Sequence, residues 1–251
     1  MLSNFKLSPF QSTAIFGPNS DVGSCLVTQL LVDVGCKKLL LFCDRVSLEL
    51  KYYEKVEQVS IDRDLLPHHN YQVLPKLDGI SSVIAFLGSP SPLTDDAQNA
   101  SAFLDATLIL PFASAAKEAG VKHFFLLDAA EMPLEERKLL HAKLLKLSFK
   151  CLCVMKPPPE VWGRRSEKKD TFSSWFQWEL SQPPKRKVDS VILAKAVLQQ
   201  ATQSALSAKR SFRPQEDFVE GDEFLQLIAS VKAFDAQISK GLVSCTPTLK
   251  A

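Results

Sequence analysis

No run of apolar residues in this 251-residue chain approaches the length needed to span a bilayer; the longest candidate, Leu39 to Cys43, has the length of a β-strand. No Cys-x-x-Cys spacing occurs among the six cysteines, Cys25, Cys36, Cys43, Cys151, Cys153 and Cys245. The four histidines, His68, His69, His123 and His141, form no ligand pattern, so no metal centre is expected. Cysteines placed inside apolar runs read as small core residues of a protein kept in a reducing compartment. The formal net charge is only +2, which excludes a strong general affinity for polyanions. Residues 1–11 hold one base, Lys6, no acid, and no apolar core of the kind a secretory signal requires. The expectation is an intracellular protein, not secreted and without a membrane span; cytoplasm and mitochondrion both stay open.

What the chain does have is apolar content of 46%, enough to bury a full core. Short apolar runs alternate with helical patterns, predicting strands near 13–17, 38–43, 56–60, 82–87, 122–127 and 150–155. Helices are expected near 22–34, 46–54, 96–119 and 133–147, with Pro111 either kinking the third or starting its second half. Strand–helix–strand repetition forces parallel pairing with right-handed crossovers on both faces. The fold class expected is therefore α/β, a doubly wound and mostly parallel sheet, followed by a small C-terminal helical lobe.

A single domain over 1–251 is expected, with a core at 12–155 and a lobe at 156–251. Pro157-Pro158-Pro159 stops the sixth strand, and the character then changes. The stretch 156–187 holds eight Lys or Arg against four acids, together with all three tryptophans, Trp162, Trp175 and Trp178. A helix follows, with Val191, Ala194, Leu198, Ala201 and Ala205 on one stripe. The last helix is expected from about Asp222 to Ile238, with Asp222 and Glu223 where negative charge suits the helix dipole. The final dozen residues read as frayed.

The first strand runs into Gly17-Pro18-Asn19-Ser20-Asp21-Val22-Gly23. Glycines in such a turn let the chain reverse tightly, let backbone approach a pyrophosphate, and let helix pack closely on strand. Gly17 and Gly23 meet the first and third needs. Ser20 stands at the middle position, where its side chain narrows the phosphate space, and Asp21 adds negative charge beside it. Two readings stand: a bound dinucleotide on the turn and on the helix N-terminus, or a relic turn that only packs. Asn19 and Val22 complete the candidate cofactor loop. After the second strand, Asp44 favours the ribose hydroxyls of NAD, whereas Arg45 favours the extra phosphate of NADP, so the choice between NAD and NADP stays open. Asp62 stands where an adenine contact would fall, and Gly88 lies in the turn after the fourth strand.

These residues, with Val83-Ile84-Ala85-Phe86-Leu87-Gly88-Ser89, Ala116 to Phe124 and Val154-Met155-Lys156-Pro157, make the chain resemble the atypical short-chain dehydrogenase/reductase group, and within it the Tat-interactive oxidoreductase-like proteins. The likeness covers about residues 12–228. It implies a Rossmann fold, NAD or NADP as cofactor, and a catalytic serine, tyrosine and lysine. Matched by position, the two family serines fall on Asp128 and Ala129, the tyrosine on Leu139 and the lysine on Lys143. Only the lysine is filled. His141, nearby, can move protons but projects away from Lys143. The expectation is a vacant reductase site closed by an Asp128–Lys143 salt bridge.

Three functions follow. The first is a non-catalytic pseudoenzyme acting as scaffold or subunit of a larger assembly, with protein partners held through 156–187. The second is an active reductase in which His141 substitutes as proton donor. The third is a ribonucleoprotein component that contacts RNA through the basic, aromatic stretch 156–187.

Overall fold

A computed structural model describes residues 9–16, 21–43, 46–60, 77–87, 106–128, 133–158, 188–211 and 213–239. Six apolar runs form strands where their composition places them: β1 (Ser12–Phe16), β2 (Lys38–Cys43), β3 (Val56–Ser60), β4 (Ser82–Leu87), β5 (His123–Asp128) and β6 (Cys151–Lys156). A seventh, β7 (Gln215–Glu220), follows late in the chain. The seven form one sheet in the order β3-β2-β1-β4-β5-β6-β7, and every neighbouring pair is parallel. The connecting helices are α1 (Asp21–Val32), α2 (Ala106–Glu118), α3 (Leu134–Lys146), α4 (Ser190–Arg210) and α5 (Gly221–Ser239).

Continuous apolar strands are what a sheet covered on both faces demands. Alternate residues feed two separate cores. Ile15, Leu41, Ile84, Phe125 and Cys153 face α1, α4 and α5. Ala14, Phe16, Leu40, Phe42, Ala85 and Phe124 face α2 and α3. The C-terminal segment therefore contributes β7 to the sheet and two helices to one of its layers.

Local details depart from the sequence expectations for identifiable reasons. The helix expected at 46–54 is a single 3-10 turn, Glu49–Tyr52, with no buried residue; Leu48 and Tyr52 are exposed, so no apolar helical face exists to bury. In α4 the buried stripe runs through Leu193, Ala194, Val197, Ala201, Ser204, Ala205 and Ala208, while Val191 is exposed. Pro111 stands inside α2, where it removes one helical hydrogen bond. Of the helix expected at 96–119, residues 96–105 lie outside the described residues, as do residues 240–251, expected to fray. Gly120, at φ +82°, ends α2 in a left-handed turn that a side chain would strain, and this turn delivers the chain into β5.

The ammonium of Lys55 donates to three backbone carbonyls at the end of α1, those of Leu30 (2.9 Å), Asp33 (3.1 Å) and Cys36 (3.2 Å). It satisfies acceptors that the helix end leaves over and suits the negative pole of its dipole.

Thr13, fully buried in β1, has a hydroxyl with no hydrogen-bond partner. Such a group loses its water and gains nothing in return. Thr13→Val keeps the shape and removes the cost. It is expected to stabilise the protein by about 1 kcal/mol, read as a rise in urea midpoint at constant m-value. A lowered midpoint would mean that the hydroxyl is bonded after all.

Candidate functional site

The strand order reverses at β1: the chain steps outward through β2 to β3, then crosses back to place β4 on the other side of β1. In open α/β sheets this switch point opens a crevice above the carboxyl ends of the strands, where ligands bind. Phe16 ends β1 there, and α1 starts at Asp21. Val22 and Gly23, in the first turn of α1, are buried, so the helix starts tight against the sheet. The N-terminus of α1 carries the positive pole of the helix dipole, which suits an anionic group such as a pyrophosphate. Gly17, Asn19, Ser20, Asp44, Arg45, Asp62 and Gly88 lie outside the described residues. In sequence they directly follow the ends of β1, β2, β3 and β4. The helix N-terminus thus suits the phosphates of the expected dinucleotide by the sign of its dipole, while the base- and ribose-contacting candidates lie outside the described residues.

The second part of the edge lies over β5, β6 and β7. Asp128 ends β5 with its side chain fully buried. Its carboxylate is paired with Arg137 of α3, Nε to Oδ2 at 3.2 Å, and the arginine side chain is only 11% exposed. His141, one helical turn on, brings Nε2 to 3.9 Å from the same oxygen. That distance is beyond a hydrogen bond, and this buried nitrogen has no hydrogen-bond partner. The His141 ring packs against Phe218 of β7 at 5.3 Å between centroids. Burial lowers the affinity of His141 for a proton; Asp128 and Glu220 oppose that effect, and Arg137 and Lys156 reinforce it. Lys156 and Glu220 are the last residues of β6 and β7, so the cluster draws on the ends of three strands and one face of α3.

The structure corrects the expected Asp128–Lys143 bridge. Lys143 is exposed, and Asp128 takes Arg137 instead. The reason is helix phase. Arg137, Leu140, His141 and Leu144 form the stripe of α3 that turns toward the sheet, with Leu140 and Leu144 buried. Lys143 lies two positions beyond His141 and projects elsewhere. Leu139, where the family tyrosine falls, is 56% exposed. Arg137 was missed by the sequence reading, although its position four residues before His141 on the apolar stripe was the signal available.

The stretch 156–187, expected to bind protein or RNA, lies outside the described residues from 159 onward. Its anchors, the end of β6 and the start of α4, both stand at this carboxyl edge of the sheet. The Cys151 and Cys153 thiols are pushed up to about 12, chiefly by burial, and are not nucleophiles at neutral pH. Among the described residues no group of His, Cys, Asp and Glu could hold a metal ion, and no helix is long and apolar enough to cross a membrane.

No family model matches the chain, and no curated protein matches it. Solved structures do. A Rossmann-fold NAD(P)-binding family protein from Shigella flexneri is similar at 14% identity over 59% of this chain and 67% of its own, with a TM-score of 0.40. Triphenylmethane reductase from Citrobacter sp., complexed with NADP(H), is similar at 14% identity over 94% of this chain and 92% of its own, with a TM-score of 0.48. The Bordetella bronchiseptica enzyme WbmH, in complex with NAD+, is similar at 15% identity over 91% and 98%, with a TM-score of 0.47. The chain's own strand order, 3-2-1-4-5-6 extended by a parallel seventh strand, with helices on both faces, gives it the doubly wound Rossmann fold.

Proposed function

We propose that this chain is a dinucleotide-binding protein of the atypical short-chain dehydrogenase/reductase type that has lost the reductase proton-transfer set and acts as a non-catalytic scaffold or subunit of a larger assembly. The observation that carries the proposal is the buried Asp128–Arg137 pair. It occupies the carboxyl end of β5, where the family resemblance puts the substrate-orienting serine. The tyrosine position holds an exposed leucine, and the one retained group, Lys143, faces away from Asp128. Carbonyl reduction needs a proton donor held within hydrogen-bond reach of the substrate, and among the described residues the tyrosine position is an exposed leucine and Lys143 is exposed, apart from the Asp128–Arg137 pair.

Retention of a nucleotide is supported by the tight start of α1 at the switch point. NAD or NADP, when bound, supplies hydride chemistry; the chain's part would be to hold its phosphates at the positive end of the α1 dipole. Protein partners are expected on the side where 156–187 is anchored.

The test has two stages. Mass spectrometry of the protein as isolated looks for carried nucleotide, and calorimetric titration follows with NADPH, NADP, NADH and NAD. Binding of one of them, with no oxidation of the reduced form over a panel of aldehydes and ketones, is the expected result. Turnover that disappears in His141→Gln would replace this reading with that of an active reductase. Absence of both binding and carried nucleotide would remove the cofactor from the proposal.

A further inference from the structure

The carboxylate of Asp128 has no solvent exposure, and a charge so deep requires compensation from the protein. α3 offers two cationic groups one turn apart on one face, Arg137 and His141. They reach toward the same oxygen, Oδ2, but only Arg137 arrives; the Nε2 of His141 stops at 3.9 Å. That nitrogen is buried and without a hydrogen-bond partner, a costly arrangement unless the group has an alternative state that uses it. Its ring is backed by Phe218, which offers no polar partner on that side.

We propose that Asp128, Arg137 and His141 form a proton-operated clasp between α3 and β5, in which His141 stands off while neutral and engages Asp128 once protonated. Among the described residues four charged groups act on the ring: Asp128 from β5, Arg137 from α3, Lys156 from β6 and Glu220 from β7. The two acids favour the engaged state; the two bases and burial favour the neutral one. Burial is the largest of these, so engagement falls on the acid side of the ordinary histidine range. Two cations beside one carboxylate oxygen repel each other, so engagement of His141 weakens the hold of Arg137. The clasp therefore changes how α3 is tied to the sheet beside the candidate site, whether or not a nucleotide is bound.

Ring carbon and nitrogen NMR signals of His141, followed in the full chain from about pH 8 to about pH 4.5, test this directly. The expected midpoint lies below 6.5. Asp128→Asn lowers it further, and Arg137→Gln raises it. Glu220→Gln, on the exposed end of β7, lowers it without touching the buried pair and serves if the core variants do not fold. In the wild-type chain the Arg137 Nε–H resonance should shift with the same midpoint as His141. A midpoint unmoved by Asp128→Asn in a folded variant, or an Arg137 signal indifferent to the titration of His141, would overturn the clasp.

Discussion

Arg137→Met is expected to cost about 3–5 kcal/mol, among the largest losses available to a single substitution outside the hydrophobic core. The argument starts from Asp128, whose side chain has no exposure. With the guanidinium removed, the carboxylate has lost the cation that lies 3.2 Å away and must be protonated, hydrated by local opening, or left short of compensation. Each of these opposes folding. Loss of Arg137 favours protonation of His141, but burial still opposes it, so the histidine offsets only part of the loss at neutral pH. Asp128→Asn should cost less, since the amide carries no net charge and its oxygen still accepts from Arg137. The double variant Asp128→Leu, Arg137→Met removes both charges, and a buried pair replaced by apolar groups is often near neutral. Recovery of most of the stability in the double variant, measured by denaturant titration, identifies the pair as the cause. A double variant as unstable as Arg137→Met would show instead that the arginine stem, not its charge, holds α3 in place.

The same cluster shows where legibility from sequence stops. Strands β1, β2, β4, β5 and β6 were readable within a residue, because sheets covered on both faces leave unbroken apolar runs such as Leu39-Leu40-Leu41-Phe42 and Phe124-Phe125-Leu126-Leu127. β3, at the other edge of the sheet, was readable from Val56 and Val59 with far less apolar content. β7 was not. Its sequence, Gln215-Glu216-Asp217-Phe218-Val219-Glu220, holds three acids and exposes every second residue. An edge strand pairs on one side only, here with β6, and its backbone bonds need no apolar signature. At the site, Asp128 could be named from its motif position and His141 as a nearby proton carrier on the helix of Lys143, but their partner could not. Lys143 was favoured because the family resemblance singles it out. The apolar phase of α3, Leu140 with Leu144, was the better guide, and it turns Arg137 inward and Lys143 out. Position in a motif says which residues share an ancestor's role; helix phase says which of them can touch.

The second large effect lies at the opposite edge of the sheet and concerns acid stability. His123 opens β5, half-buried, with Nδ1 3.1 Å from the hydroxyl of Ser82. That hydroxyl donates to the carbonyl of Pro9, so it is left to accept from His123, and the ring carries its proton on Nδ1. Charging the ring must therefore place a second proton on Nε2. Burial opposes this most, followed by the nearby Lys122 and Lys150, and together they lower the histidine from 6.5 to about 4. In the unfolded chain the same group titrates near 6.5. Between these two values the unfolded state binds the proton and the folded state refuses it. Stability contributed by His123 is thus intact above about pH 6.5 and lost progressively as the pH falls toward about 4. A difference of that size corresponds to about 3 kcal/mol, and solvent reaching the half-buried ring trims it to about 2 kcal/mol. His123→Gln keeps a side-chain donor for Ser82 and does not titrate. Its unfolding free energy, measured against pH beside the wild type, should fall less steeply across this window, the two curves converging by about 2 kcal/mol from pH 7 to pH 4. Parallel curves would mean that His123 takes up its proton as readily folded as unfolded, and that the link between Pro9, Ser82 and β5 opens long before the rest of the sheet.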